Sequence, residues 1–451
     1  MKLHVAYPRA PRQSQHAWAL LERMLSPLCG LDQRISLSLL GEVAPPVICA
    51  GAELTGVHVL LGTAPPPPGS YHIGGMGLSP DDALIRTLAE TVERYAQLTA
   101  EVYGLYQITL ETHAALVAQG RHVLAERHLS LFEPQQHGRP GFPYGPFDRH
   151  LPLGWVEGGP LTGGPPCLVP AQLVFVGYRT RAEQGEPIIC SAVTTGTAAH
   201  LTHDRALANA LLELIQIDSA VGHWYSSWKA RRVLLDGRVG WVDRVIRRYG
   251  RGVPGPQFFW LPNPDLPGFT IACLFRGAGG GIPAVAVGLG CDLGLAGALY
   301  KAWLEAIGVC RLAAIEVLQL DAGAVEATPE GEPGIYDLDT NVAWYASGHG
   351  ARLIEERFEG AAPVATADLP PDLELQGEAA VSYLVEAFRR TGKELNRWDL
   401  TAPDVGELGF AVERVWSPDT LGLPLPSAPP RRHERFRQYG GASHGHPHPY
   451  P

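Results

Sequence analysis

Paired cysteines, phosphate-binding glycine loops and long apolar runs are all missing from this chain of 451 residues. Its seven cysteines, Cys29, Cys49, Cys167, Cys190, Cys273, Cys291 and Cys310, stand singly. Without a C-x-x-C pair they argue against a structural zinc site, and their odd number and wide spacing suit reduced thiols rather than a disulfide framework. No G-x-x-x-x-G-K-[ST] loop occurs, so an ATP site here is not of the Walker type. An H-E-x-x-H zinc motif and a Ser-His-Asp hydrolase signature are absent as well. The chain does not open on a basic region followed by an apolar stretch, and no run of about 18 apolar residues could span a bilayer. A soluble, cytoplasmic protein is expected, with no membrane contact. The formal net charge of -10 sets it against any general attraction to nucleic acid or anionic lipid.

What is present is an ordinary globular composition, 45% hydrophobic and 18% charged, long enough for a substantial core. Short apolar strands alternate with amphipathic helices, which predicts an α/β (α+β) fold. The run Pro65-Pro66-Pro67-Pro68-Gly69 can continue neither a helix nor a central strand. It sets a boundary between a small α/β region, residues 1–70, and a main domain, residues 71–430. Residues 431–451 form a tail rich in proline and histidine, without a core-forming pattern.

A faint repeat runs through the main domain. Gly75, Ala198 and Gly290 are each followed eight residues later by Ala83, Ala206 and Ala298, and each alanine seven residues later by a glutamate: Glu90, Glu213 and Glu305. Seven residues is about two helical turns, so each glutamate lies near the face of its alanine. The first helix has Ser79 as cap, Pro80 at its first position and Asp81 and Asp82 at the positive end of its dipole. Leu84, Leu88, Val92 and Tyr95 form its apolar stripe, while Arg86, Glu90, Glu93 and Gln97 share another face. A second helix, capped by Thr202, buries Leu207, Leu211 and Leu214 and aligns Glu213 with Gln216. A third, from about Leu295, sets Lys301 and Glu305 beside Leu299 and Trp303.

Two glutamates one turn apart are ordinarily a solvated face. Carboxylates recurring on three amphipathic helices are a different signal, because hard magnesium ions and the triphosphate they carry require several oxygen ligands converging from separate elements. The cluster Gly277, Gly279, Gly280 and Gly281 lacks the strand and lysine context of a phosphate cradle and reads as a tight loop.

These residues resemble one family. Gly75-Met76-Gly77-Leu78-Ser79-Pro80 followed by Glu90-Thr91-Val92-Glu93-Arg94-Tyr95 is similar to the first ATP-binding helix of YcaO proteins, with its E-x-x-E-R signature. The stretch from Ser191 through Gly196 and Ala206 to Glu213, Gln216, Asp218 and Trp224 resembles that family's second helix, and residues 290–305 and Asp399-Leu400-Thr401 resemble further segments. Pro447-His448-Pro449-Tyr450-Pro451 matches the P-x-P-x-P ending of its azoline-forming members. The resemblance covers about residues 71–430 and implies a YcaO-type ATP-binding fold, with pseudo-repeated helices over sheets and the tail entering the active site. It implies ATP and Mg2+ as cofactors, with Glu90, Glu93 and Glu213 as magnesium ligands. Arg94, Gln216 and Glu305 join them at the nucleotide, and the carboxylate of Pro451 is the catalytic group.

The implied activity is that of an ATP-dependent peptide cyclodehydratase. A Cys, Ser or Thr side chain attacks the preceding backbone carbonyl, the resulting oxygen is phosphorylated, and loss of phosphate leaves an azoline. The implied partners are a ribosomal precursor peptide, a separate E1-like (ocin-ThiF-type) leader-binding protein and a downstream dehydrogenase. The separate partner is expected because fused relatives carry several hundred residues ahead of this region and only about 70 precede it here. A homodimer stays open. Arg86, Gln216, Gly308 and Asn341 depart from the family pattern, where Ser, Glu, Gln and His are expected. Two other readings therefore remain: amide activation for another nucleophile, as in thioamidation, and a decayed peptide-binding scaffold.

Overall fold

The computed structural model describes residues 12–39, 44–66, 70–250, 255–277, 281–319 and 333–450. Among the described residues, fourteen strands fall into three sheets. The first is an antiparallel meander of β1 (Asp32–Leu39), β2 (Ile48–Leu54) and β3 (Ile73–Gly77), in that order. The strands β4 (Thr109–Thr112), β5 (Pro152–Pro160), β6 (Cys167–Pro170) and β7 (Thr197–His200) come next in the chain. They are followed by β8 (Arg231–Leu234), β9 (Gln257–Trp260), β10 (Phe269–Arg276), β11 (Val285–Asp292), β12 (Pro363–Ala365), β13 (Asn396–Asp399) and β14 (Ala411–Trp416). The second sheet runs β4-β5-β13-β14-β7 with β6 paired to β5, and the third runs β11-β10-β9-β8-β12. Only the β8–β12 pair in these sheets is parallel.

The repeat read from the sequence is a strand followed directly by a helix, once per sheet. β3 leads into helix Pro80–Thr99, β7 into helix His203–Tyr225 and β11 into helix Leu295–Gln319. Ala83, Ala206 and Ala298 are fully buried where helix and strand cross. In the first and third units the strand lies so close to the helix that only glycine fits. A Cβ on Gly75 would stand 2.5 Å from the Ala83 carbonyl oxygen, and one on Gly290 2.4 Å from that of Ala298. No side chain tolerates such contacts against backbone, which is why the repeat begins with glycine at both places.

Each of the three site helices takes its place through an apolar stripe. Ser79 caps the first, its hydroxyl accepting from the Asp82 N–H at 3.2 Å, and Leu84, Leu88, Val92 and Tyr95 are buried as their spacing requires. Thr202 occupies the cap position of the second helix, but its side chain accepts no bond from that helix. From Ile217 to Tyr225 that helix is buried on every side. Leu299 and Trp303 of the third helix are fully buried against the third sheet together with Ile271.

The sheet β1-β2-β3 runs across residue 70, and Leu20, Met24 and Leu54 share one core with Leu88, Val92, Trp155 and Trp398. Residues 12–39 and 44–66 therefore pack directly against the first site helix. Of the expected glycine loop, residues 278–280 lie outside the described residues, while the Gly277 N–H donates to Ala284. Among the described residues no helix is long and apolar enough to cross a membrane. All six cysteines other than Cys29 are buried, and every one of the seven is a free thiol.

Candidate magnesium and nucleotide site

The three helices direct their glutamates into one recess. Glu90 faces Glu305, and Glu93 faces both Glu213 and Glu90. The Gly74 N–H donates to Glu90 Oε2 at 3.4 Å, and Arg94 lies 3.6 Å from Glu90 Oε1, one turn on. Glu213 accepts from the Gly196 backbone N–H, so in two of the three units the strand end holds its own helix's glutamate. The recess is deep but open: the Glu90 side chain keeps 32% of its surface accessible, and Glu305 counts as exposed.

Surrounding protein makes the charged carboxylates costly here. Burial raises Glu90 and drives Glu93 well above the ordinary carboxylate range, against the pull of Arg94. Burial likewise carries Glu213 up to about 8, opposed by Arg414 and Arg94; Glu305, at the open side of the recess, is raised less, by the protein around it and by Glu90. Four carboxylates face two guanidinium groups, so the recess is short of positive charge. An oxygen-only, anionic and solvent-reachable donor set of this kind fits hard divalent cations such as magnesium, which would supply the missing charge.

Arg414 also faces the recess, and the sequence alone did not single it out. It lies on β14, almost wholly buried, where its guanidinium donates to the carbonyl oxygens of Val193 at 2.9 Å and Thr195 at 2.6 Å and to Thr197 Oγ1 at 3.0 Å. It faces Glu213 and Glu93, and burial brings it down to about 10 despite them. Its one local signal is a charged pair, Glu413-Arg414, inside the apolar run Phe410-Ala411-Val412 to Val415-Trp416.

The structure thus gathers Glu90, Glu93, Arg94, Glu213 and Glu305. Gln216 is half-buried on the second helix and makes no side-chain hydrogen bond among the described residues. Lys301, expected beside Glu305, pairs instead with Asp292 at 2.7 Å. Pro451 lies outside the described residues. The residues before it are firmly held: Trp224 Nε1 donates to the His446 carbonyl at 3.0 Å, Tyr345 OH to that of Pro447 at 2.6 Å and Asn341 Nδ2 to that of His448 at 2.7 Å. The departure at Asn341 thus has a use, as a clamp on the tail. A Cβ on Gly308 would meet only the flexible end of the Met76 side chain, at 2.4 Å, which can shift aside, so packing does not require glycine there.

Asp218 and Trp224, which belong to the family-like second helix, brace the C-terminal segment rather than the recess. Asp218 is fully buried and meets Arg435 at 2.6 Å, while Tyr439 OH donates to it at 3.1 Å. A second acidic group, His203, Asp399 and Glu413, has ligand atoms within 4.8 Å of one another, but Arg397 already occupies Glu413, with Nε at 2.7 Å.

A family model described as YcaO cyclodehydratase, ATP- and Mg2+-binding, matches residues 74–421. Solved structures agree in fold. A heterocyclase in complex with substrate and cofactor superposes with a TM-score of 0.69 at 17% identity, covering 99% of this chain and 57% of its own. YcaO from Methanopyrus kandleri, bound with AMPPCP and Mg2+, gives 0.59 at 18% identity, over 91% of this chain and 89% of its own. The E. coli microcin synthetase McbBCD complex with pro-MccB17 bound gives 0.58 at 11% identity, over 94% and 98%. The chain therefore spans little more than half the length of the heterocyclase. A search of curated proteins returns no match.

Proposed function

The chain belongs to the YcaO family, and from that premise we propose that it is an ATP-dependent cyclodehydratase that turns Cys, Ser or Thr residues of a ribosomal precursor peptide into azolines. ATP and Mg2+ are its cofactors, as the family's description states. The observation that carries the reading is the convergence of Glu90, Glu93, Glu213 and Glu305 from three helices into a recess short of positive charge.

In this reading Glu90, Glu93 and Glu213 ligate magnesium, Glu305 and Gln216 complete the nucleotide site, and Arg94 meets phosphate. Bound by these carboxylates, magnesium would supply positive charge to offset that on a transferring phosphoryl group. Arg414, held by four oxygen acceptors, opposes the effect of burial on Glu213 and Glu93 and so favours their charged forms. ATP is needed because an amide oxygen leaves poorly until it carries phosphate. The tail belongs to the proposal as well, with Pro451 following directly on the clamped residues 446–450 and its carboxylate accepting the proton of the attacking side chain. A multichain microcin synthetase among the structural neighbours supports a working assembly with partners, and we assign leader binding to a separate E1-like chain.

The test is isotopic. With a precursor peptide whose amide oxygen at the reacting site carries oxygen-18, each ring formed should deliver one labelled oxygen to the released phosphate. Label recovered in water, with unlabelled phosphate, would contradict phosphorylation of the amide oxygen.

A further inference from the structure

Glycines apart, His72 is the one residue among the described residues whose backbone has a positive φ, 49°. It follows the turn at Ser70 and Tyr71 and leads directly into β3, a place where glycine would adopt that conformation without strain. Stability does not account for a histidine there. Its Nε2 donates to Asp339 Oδ1 at 2.9 Å, but the two side chains are 33% and 43% accessible, and an ion pair that open contributes little to folding. A left-handed backbone kept for a weakly stabilising contact argues for a functional reason.

The surroundings of the ring supply one. The imidazole faces Glu90 and Arg94 of the first site helix and Glu316 of the third. Two residues on, the Gly74 N–H donates to Glu90 Oε2 at 3.4 Å. No cross-strand side-chain pair anchors this end of β3, since Gly74 stands opposite Gly51. Asp339, by contrast, lies in the first turn of helix Leu338–Ala346. That helix buries Val342 and Ala346 with Ala313 of the third site helix and holds the tail through Asn341 and Tyr345. The His72–Asp339 bond therefore ties the strand end that supports Glu90 to a helix fixed against both the third site helix and the tail.

We propose that His72 is a positioning residue for the nucleotide site: braced by Asp339, it fixes the start of β3 so that the Gly74 N–H keeps Glu90 turned into the recess. The inference rests on the reading of the recess as a magnesium-nucleotide site and adds to it a residue that acts only through Glu90.

Wild type, His72→Gly, Asp339→Ala and His72→Gln, each as the full chain, test it by thermal melt, by calorimetric titration with AMPPCP and Mg2+, and by amide exchange at Gly74 in glycine-labelled protein. His72→Gly relaxes the backbone and should melt within about 2 °C of the wild type or above it. Its affinity for Mg2+-AMPPCP, and that of Asp339→Ala, should fall about fivefold or more, and the Gly74 amide should exchange faster in both while that of Gly77 is unchanged. His72→Gln, whose amide can still donate to Asp339, should stay within about twofold of the wild type. Wild-type affinity in His72→Gly and Asp339→Ala, unaltered exchange at Gly74, or a loss in His72→Gln as large as in His72→Gly would overturn the assignment. A wild type that binds no Mg2+-nucleotide would sink the reading of the recess instead, while exchange at Gly74 would still decide whether His72 acts as the brace.

Discussion

At the scale of single residues, the site is a set of charges held where charge is unwelcome. Glu213, carried by burial up to about 8, and Glu305, raised less, are strained in favour of the proton until cations arrive. Replacing Glu213 by Gln therefore separates stability from function. Glu213→Gln removes a charge that the metal-free protein holds poorly, so its Tm at pH 8 should equal or exceed that of the wild type. Peptide-dependent ADP release, in contrast, should fall by about a hundredfold or more, because the neutral amide no longer balances the cation. Thermal melts and a coupled ADP assay check both halves; retained turnover would return Glu213 to an ordinary helix face. Much of this was legible in the sequence, since Glu90, Glu93, Glu213 and Glu305 follow a local helical period. Arg414 was not, because its partners Val193, Thr195 and Glu213 lie about two hundred residues away in the chain, and only the folded sheet brings β14 beside β7.

At the scale of elements, the strand-then-helix unit and the tail behave in opposite ways. The units announce themselves through Gly75, Gly290 and the buried alanines, because close crossing of a strand over a helix demands small residues at fixed spacing. The tail has no such pattern. It is held through its backbone carbonyls, by donors on Trp224, Asn341 and Tyr345, and nothing in its own sequence encodes those bonds. One side chain does report on docking. His448 is fully buried, donates from Nε2 to Pro424 and accepts the Tyr450 N–H at Nδ1, so only the neutral ring makes both bonds. Burial lowers it from 6.5 to about 4. An unfolded histidine thus takes up its proton before the docked one does, and this contribution is complete above about 6.5 and is lost as pH falls towards 4. At pH 5 the loss from this ring is about 2 kcal/mol. Denaturant unfolding at pH 7 and pH 5 should show a smaller drop for His448→Gln than for the wild type, and equal drops would mean that the ring is not buried neutral.

At the scale of the whole molecule, the recess depends on segments from almost the full length of the chain. Residues 12–39 and 44–66 pack behind the first site helix, the third helix lies on the third sheet, and β14 supplies Arg414. Arg435, bonded to Asp218 on the second helix and to Asp265, fixes the last segment before the tail. A buried pair of this kind is costly to break by removing one partner, which makes it a clamp between the C-terminal segment and the helix that carries Glu213. The expected fold class was readable from alternating periods, but the joining of residues 12–39 and 44–66 to the main domain was not, because the Pro65–Pro68 run hides the pairing of β2 with β3 across it. The central claim is that carboxylates from three helices make one magnesium-dependent nucleotide site. Calorimetric titration of ATP into the full chain, with Mg2+ and then with chelator, measures it directly. The account predicts binding that requires Mg2+ and weakens about tenfold or more in Glu90→Gln and in Glu213→Gln; ATP binding that is equally tight without Mg2+, or unaffected in both variants, would contradict it.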